Sequence, residues 1–300
     1  MNSRLACAAV VAFVSAVVPL LKGTSAQAQS ALLKNLETCN GGGTISVDLQ
    51  INGCTVLINS GALSPQGLAV AHNTRGNAYS RKQEYDRAIR DYDDSIRLDP
   101  SYSKAFNDRG VAYQKKVELD RALADFDEAI RLTPSYAIAF ANRGQTFQKN
   151  GDFDRAAKDY SEVIRLQPQY EQMIRLQPQM EADWKRLLQV VRNERCWVRA
   201  IIGDLQVALA ECDEALRLHP NTAAIFDSRG LVLLKMTRWD AAIADYDSAL
   251  RLQPNMASSL YGRGFAKLKK GDTRRGNDDV KAAITINASI VANFRDYGLP

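Results

Sequence analysis

The chain has 300 residues, and its 39 basic and 34 acidic side chains give a formal net charge of +5 at pH 7. Apolar residues make up 46% of the chain and charged residues 24%, a balance typical of a folded globular protein and not of a disordered one. Without Arg4 and Lys22, which lie in a predicted leader, the basic excess falls from five to three. So small and evenly mixed an excess argues against nucleic acid or a membrane surface as the partner.

Residues 1–28 have the pattern of a secretory signal peptide. Arg4 precedes the apolar run LACAAVVAFVSAVVPLL, and Ala26-Gln27-Ala28 supplies an A-x-A cleavage site. We expect cleavage after Ala28, which places the mature chain in the periplasm or outside the cell with no stable membrane insertion. An uncleaved anchor is the alternative, but the run of 17 residues is at the lower limit for spanning a bilayer and contains Pro19 near its end.

Residues 29–66 are predicted to form an N-terminal capping segment. The stretch SVDLQINGCTVLINSG has the apolar spacing of one helix, with Gly61 as its stop. We expect this helix to cover the exposed end of the repeated segments that follow, because terminal units of a helical stack need a modified outer face.

From residue 67 onward the sequence repeats with a period of 34. Alignment on Pro100, Pro134, Pro168, Pro220 and Pro254 gives six repeats, numbered 1–6 in chain order: 67–100, 101–134, 135–168, 187–220, 221–254 and 255–288. The tenth position is glycine in five repeats, the twenty-second is alanine or glycine, and the twenty-sixth is aromatic in four. A glycine opposite an alanine lets two helices approach closely, an aromatic ring fills the space between helix pairs, and proline ends the second helix.

This order of small, aromatic and proline residues resembles the tetratricopeptide repeat, as in AFNDRGVAYQKKVELDRALADFDEAIRLTP of repeat 2. The resemblance covers 204 of the 300 residues, in the blocks 67–168 and 187–288. It implies an all-α fold, a right-handed superhelical solenoid of antiparallel helix pairs. The recurrent pattern RG.AY…DRAI.DYD.AIRL.P is similar to repeat proteins exported by alphaproteobacteria.

Two columns of opposite charge run through all six repeats. The ninth position is arginine and the twenty-fifth is acidic, which gives the pairs Arg75/Asp91, Arg109/Asp125, Arg143/Asp159, Arg195/Glu211, Arg229/Asp245 and Arg263/Asp279. We predict an ion-pair ladder between paired or neighbouring helices. The alternatives are solvated faces, in which each pair contributes ~0–1 kcal/mol, or an arginine-lined ligand site.

The period is interrupted at 169–186, between repeats 3 and 4. The string IRLQPQ occurs at 164–169 and again at 174–179, so part of a helix end is duplicated. Pro178 is expected to break the chain, and one long helix is predicted from Glu181. The sequence leaves open whether this insert kinks the solenoid or forms a site. After repeat 6, residues 289–300 carry apolar residues at helical spacing and are predicted to form a C-terminal capping helix.

Four of the five cysteines follow the predicted leader, and an even number in an exported chain predicts disulfides. Cys39 and Cys54 both lie ahead of the repeats. Cys196 and Cys212 replace the packing glycine and the packing aromatic of repeat 4, on facing sides of one helix pair. We therefore predict the bridges Cys39–Cys54 and Cys196–Cys212.

No catalytic constellation is present in the sequence. The two histidines, His72 and His219, supply general bases and metal ligands poorly, and CNGGGT lacks the lysine and hydroxyl of a phosphate-binding loop. We predict that the protein is not an enzyme and holds no cofactor and no metal.

The family resemblance implies a concave groove, lined by the first helix of each repeat, that binds a peptide or protein. Carried over position by position, the predicted partner-binding residues are Asn73, Asn77, Arg81, Lys104, Asn107, Gln114, Lys115 and Lys149. Amides can bond the backbone of an extended peptide, and cations can meet its carboxylates. We expect these groove side chains not to hold the repeats together. In repeats 4–6 the groove positions are more apolar, although Asp227 and Lys235 interrupt them.

The sequence thus predicts a non-catalytic protein–protein interaction scaffold in the cell envelope. One alternative is a structural envelope component that binds peptidoglycan or assembles with itself. Another is an accessory subunit whose partner carries the chemistry. The sequence does not identify the partner.

Overall fold

The computed structural model describes residues 26–41 and 45–299, so residues 1–25 of the predicted leader lie outside the described residues. Within these ranges the chain forms sixteen α-helices and no strand, as the predicted all-α class requires. The helices α1–α16 are Ala26–Asn40, Val47–Asn59, Pro65–Arg81, Tyr85–Leu98, Ser103–Lys115, Leu119–Leu132, Ala137–Lys149, Phe153–Arg165, Gln167–Leu176, Glu181–Ile202, Leu205–Leu218, Ala223–Lys235, Trp239–Leu252, Ala257–Lys269, Thr273–Ile286 and Ile290–Asp296. None of these described helices combines the length and apolarity needed to cross a membrane.

The described residues group into two compact units. The N-terminal unit runs to Thr146 and includes Pro168–Trp184, and the C-terminal unit comprises Phe147–Gln167 and everything from Lys185 onward. Within each unit, consecutive helices pack as pairs: α3 with α4 and α5 with α6 in the first, α12 with α13 and α14 with α15 in the second. Because only a short turn joins the helices of a pair, they run antiparallel.

The turn inside every repeat has the same backbone conformation. The seventeenth residue of each repeat has a positive φ: Gly151, Gly203 and Gly271 in three repeats, and Gln83, Val117 and Thr237 in the others. In repeat 2 the Glu118 amide donates to the Tyr113 carbonyl at 3.0 Å and the Val117 amide to the Gln114 carbonyl at 3.2 Å. These two bonds are the Schellman pattern that satisfies the last carbonyls of a helix. Glycine suits this position, and a β-branched valine is strained there.

In repeats 1, 2 and 5 the glycine at the tenth position faces the aromatic ring at the twenty-sixth. A Cβ atom added at Gly110 would lie 2.8 Å from the Phe126 ring, too close for any side chain, so the glycine permits the helices of repeat 2 to approach. In repeat 4 the same two positions are Cys196 and Cys212, which form a disulfide with a Cα–Cα distance of 5.5 Å. This predicted bridge therefore takes the place of the glycine–aromatic contact.

The two charged columns form the predicted ion-pair ladder. The Arg109 guanidinium donates from Nε and Nη2 to Asp125 at 2.9 and 2.7 Å, and from Nη1 to Asp93 of repeat 1 at 2.6 Å. Repeats 5 and 6 have the same arrangement, with Arg229 and Arg263 each holding an acid of their own repeat and one of the repeat before. The ladder thus joins the two helices of one repeat to the second helix of the preceding repeat.

Two helices precede repeat 1, where the sequence predicted one. The predicted helix is α2, and the chain turns after it at Gly61, whose φ is 67°. The helix that the prediction missed is α1, which starts within the predicted leader and packs against α2. The predicted disulfide Cys39–Cys54 joins the two. Leu32, Leu36 and Cys39 recur at intervals of four and three residues, a helical signal that could have revealed α1.

The insert is helical except at Gln177, where α9 has ended just before Pro178. It contains most of α9, a short 3-10 helix at Pro178–Met180 and the first turns of α10. The long helix predicted from Glu181 is present as α10, with 22 residues. In the N-terminal unit the Tyr170 hydroxyl donates to the Ser135 carbonyl and accepts from the Ala137 amide, both at 3.2 Å, so α9 is fixed against the start of repeat 3.

Candidate functional site

The predicted amides of repeats 1 and 2 converge on one carboxylate, that of Asp108 on α5. Asn73 and Asn77, both on α3, each donate from Nδ2 to Asp108 Oδ2 at 3.0 Å. Asn107 donates from Nδ2 to Oδ1 at 3.1 Å, and Asn77 Oδ1 accepts from the Tyr92 hydroxyl at 2.7 Å. Among the described residues no cation pairs with Asp108, so three neutral amide donors hold this carboxylate. The sequence-based set did not include Asp108.

Three of the predicted groove amides are buried between repeats. Asn73 and Asn107 are 0% and 3% exposed, and Gln114 is 6% exposed. Asn142 of repeat 3 donates to Asn107 Oδ1 at 2.9 Å, and Gln114 donates to the Thr146 hydroxyl at 2.8 Å. The expectation that groove residues do not hold the repeats together is therefore wrong for these three, and also for Asn77, which bonds to Asp108 of the next repeat. Where two helices cross closely, a short amide side chain lies within hydrogen-bond distance of the next repeat and bonds to it.

The four predicted cations differ in their surroundings. Arg81 contacts the Gln50 side chain of α2. Lys104 is half-buried and Lys115 is exposed, and neither ammonium group has a hydrogen-bond or ion-pair partner among the described residues. Lys149 is also exposed, but it lies in the last turn of α7, within the C-terminal unit. Of the four predicted cations, Lys104 and Lys115 are thus the two that have no partner among the described residues.

Lys104, Asp108, Val111 and Lys115 follow one another at intervals of four, three and four residues along α5. This spacing places them on one face of the helix. We call this set the α5 stripe. Its two lysines are eleven positions apart, which is about 16 Å along a helix and matches about five residues of extended peptide.

Three tyrosines stand at the second position of repeats 2 and 3 and at the equivalent position in α9. Burial raises the pKa of Tyr102, and the Asp108 carboxylate raises it further. The pKa of Tyr136 is raised by the same two causes, so both phenols stay neutral near Asp108. The third, Tyr170, stacks on Trp184 with ring centroids 4.1 Å apart and planes 7° apart. The N-terminal unit therefore sets an uncompensated carboxylate beside neutral phenols that can donate hydrogen bonds.

In the C-terminal unit the chain's own last helix lies on the groove positions. Phe294 of α16 packs on Tyr261 of repeat 6 with ring centroids 4.6 Å apart, and Tyr297 packs edge-on against Trp197 of repeat 4 at 5.1 Å. Lys235 of repeat 5 donates from Nζ to the Tyr297 carbonyl at 2.9 Å. The C-terminal segment thus reaches the first helices of three successive repeats.

One cluster of potential metal ligands is present in the described part of the chain. His72, Asp91 and Asp94 each offer a ligand atom within 4.8 Å of the others. Both oxygens of Asp91 accept from Arg75, at 2.8 and 2.7 Å, and His72 Nδ1 lies 3.0 Å from one of them. Burial alone would raise the pKa of Asp91, but the hydrogen bonds from Arg75 and His72 outweigh it and lower the pKa. Because Arg75 already neutralises the Asp91 carboxylate, we assign this cluster to the ion-pair ladder.

Comparison with protein families matches the chain to models described as tetratricopeptide repeat, over residues 73–137 and 228–286 with one model and 137–170 with a second. Comparison with curated proteins found no match.

Several solved structures share the fold. A tetratricopeptide repeat protein from Parabacteroides merdae ATCC 43184 is 14% identical with a TM-score of 0.59, and the match covers 90% of this chain and 98% of that one. Pseudomonas aeruginosa pilF is 15% identical with a TM-score of 0.59, over 78% of this chain and 96% of that one. PilW, described as a type IV pilus biogenesis factor, is 17% identical with a TM-score of 0.58, over 76% and 94%. At these identities the likeness concerns the fold alone.

Proposed function

Because the chain belongs to the tetratricopeptide repeat family, we propose that it is a non-catalytic scaffold that binds a peptide or protein partner on the first helices of repeats 1 and 2. The observation that carries the proposal is the α5 stripe. It combines one rigidly held acceptor, Asp108, with two lysines that have no partner among the described residues.

The Asp108 carboxylate is suited to receive a main-chain N–H of the partner. Asn73, Asn77 and Asn107 fix its position, so little side-chain entropy is lost when a ligand binds. The amides thus act indirectly, as positioning groups, while the carboxylate makes the contact. Among the predicted binding residues, Asn73, Asn77 and Asn107 take this supporting role.

Lys104 and Lys115 are suited to meet carboxylates of the partner. Their ammonium groups flank Asp108 on α5, so the proposed partner is an extended segment with acidic groups about five residues apart. Such exposed charge pairs are screened within about 8 Å at physiological ionic strength, so binding weakens as salt is added.

We further propose that the protein works outside the cytoplasm, in the cell envelope. The two disulfides, Cys39–Cys54 and Cys196–Cys212, support an oxidising compartment. N-terminal sequencing of the protein from envelope fractions tests the proposal of export, and the expected first residue is Gln29. A sequence that begins at Met1 would contradict cleavage of the leader.

The binding proposal is tested by affinity capture from envelope extract with two variants of the chain. Replacing Lys104 and Lys115 together by alanine should abolish capture of the partner, because both cations of the stripe are lost. The matched control is Lys116→Ala, which removes a neighbouring lysine that already pairs with Asp86 and Glu118. Circular dichroism of both variants should match the parent.

Two outcomes would contradict the proposal. Capture that is unchanged in the double variant would show that the α5 stripe does not bind the partner. Retention of the protein on isolated cell wall, with no protein partner captured, would favour the structural envelope component instead.

A further inference from the structure

A cavity of about 350 Å³ lies in the C-terminal unit, between the first helices of repeats 4–6 and the C-terminal segment. Aromatic and aliphatic side chains, among them Trp197, Leu231 and Phe294, share its walls about equally with polar groups. The polar lining residues are Asp227, Ser258, Asn287 and Asn293. A volume of this size is within the range of pockets that hold small molecules. Lys235 helps to close it, because its Nζ donates to the Tyr297 carbonyl and also to the Ile201 carbonyl at 3.2 Å.

One charged group, Asp227, lines this cavity. Its Oδ1 accepts from the Ser259 hydroxyl at 2.5 Å, and Ser258 also bonds to it. Within the described residues Asp227 has no ion-pair partner, and burial raises its pKa to about 6, so it is mostly charged at neutral pH. Repeats 1, 2 and 4 have a neutral asparagine at this position. A half-buried carboxylate without a countercharge is still costly to hold, so Asp227, the one charged residue that lines the cavity, is a candidate ligand-binding group.

A hydroxyl without a hydrogen-bond partner lines the same cavity. Tyr246 is fully buried, and its hydroxyl has no hydrogen-bond partner. In repeat 1 the equivalent Tyr92 donates to Asn77 Oδ1, and in repeat 3 Tyr160 donates to Gln148 Oε1 at 2.8 Å. In repeat 5 the residue that corresponds to Asn77 is Leu231, which cannot accept the bond. A buried hydroxyl left unpaired is rare in folded proteins and requires an explanation.

We propose that this cavity is a binding site for a small organic cation, a protonated amine on an apolar body. The ammonium group pairs with Asp227, which repels anions. The apolar body lies against the rings of Trp197 and Phe294, where aromatic faces also attract a cation. The C-terminal segment covers the cavity, and for that reason the ligand is a free amine and not a lysine side chain of a peptide. The site shares no residue with the α5 stripe and does not depend on the proposed function.

The test uses three amines, phenethylamine, tyramine and cyclohexylmethylamine, each beside the alcohol with hydroxyl in place of the amine. Binding is followed by titration calorimetry and by tryptophan fluorescence, to which Trp197 in the cavity wall contributes. The Kd of each amine should be at least about tenfold lower than that of its alcohol. Asp227→Asn should remove this preference and leave alcohol binding unchanged. It should fold, because asparagine already stands at this position in three repeats.

The matched control is Asp240→Asn, which removes an exposed carboxylate that pairs with Lys270 and does not line the cavity. Amine binding should be the same in this variant as in the parent. The proposal is overturned if no amine binds more tightly than its alcohol, or if Asp227→Asn keeps the preference. Tighter binding of acetyl-Gly-Lys-Gly-amide than of every free amine would contradict the assignment to a free amine.

Discussion

Removal of one ladder arginine should destabilise the protein far more than removal of an exposed one. Arg109→Met keeps most of the side-chain stem but deletes two bonds to Asp125 and one to Asp93. The Asp125 side chain is 8% exposed and Arg109 20%, so the substitution leaves a nearly buried carboxylate without its cation. Breaking a buried pair costs about 3–5 kcal/mol, and because water reaches Arg109 in part we expect about 2–4 kcal/mol here.

The assay is urea denaturation followed by circular dichroism, with amide hydrogen exchange to locate the loss in α5 and α6. The matched control is Arg131→Met, which deletes an equally bidentate pair with Glu128 on the surface of the same repeat and should leave the midpoint nearly unchanged. The double variant Arg109→Met with Asp125→Leu should be more stable than Arg109→Met alone, because no buried charge is left unpaired. A midpoint for Arg109→Met equal to that of Arg131→Met would refute the reasoning.

Three further predictions concern the turns, the cavity and a disulfide. Val117→Gly should stabilise the protein by about 1 kcal/mol in the same urea assay, because valine at φ 63° is strained and its side chain is 77% exposed. A loss of stability would show that the turn is unstrained. The pKa of Asp227 is raised by burial to about 6, above its unfolded value near 4, so stability should fall as pH rises between these values, by up to about 3 kcal/mol. Thermal denaturation of Asp227→Asn should lack this fall, and a profile identical to that of the parent would contradict it. Replacing Cys196 and Cys212 by serine should lower the free energy of unfolding by about 3 kcal/mol. Cys196→Gly with Cys212→Tyr should recover part of this loss, because it restores the glycine–aromatic contact of repeats 1, 2 and 5. Equal urea midpoints for the two double variants would show that this contact does not replace the disulfide.

Much of the candidate site in the N-terminal unit could be located from the sequence, but the roles of its residues could not. The resemblance to the tetratricopeptide repeat implies which first-helix positions line the groove, and Lys104 and Lys115 occur among them. The period does not say that Asn73 and Asn107 turn toward Asp108. The partner of each amide depends on which side chain of the next repeat lies within hydrogen-bond distance. An alignment of the repeats contains no distances between side chains, so it cannot identify that partner.

The sequence by itself determined the parts of this protein that repeat. Helix pairs, the arginine ladder and the Cys196–Cys212 bridge all follow from the 34-residue period, because each repeat contacts only its neighbours and similar neighbours impose similar packing.

Only the tertiary structure decided where the non-repeating ends go. Helix α1 pairs with α2 ahead of the repeats. The segment after repeat 6 folds back onto repeat 5, where the Tyr297 carbonyl accepts a hydrogen bond from Lys235, 62 residues earlier in the chain. No period specifies such a contact, since it depends on the shape and charge that three successive repeats present together. The cavity around Asp227 exists because that returning segment covers the groove positions of repeats 4–6 without filling the space above the carboxylate.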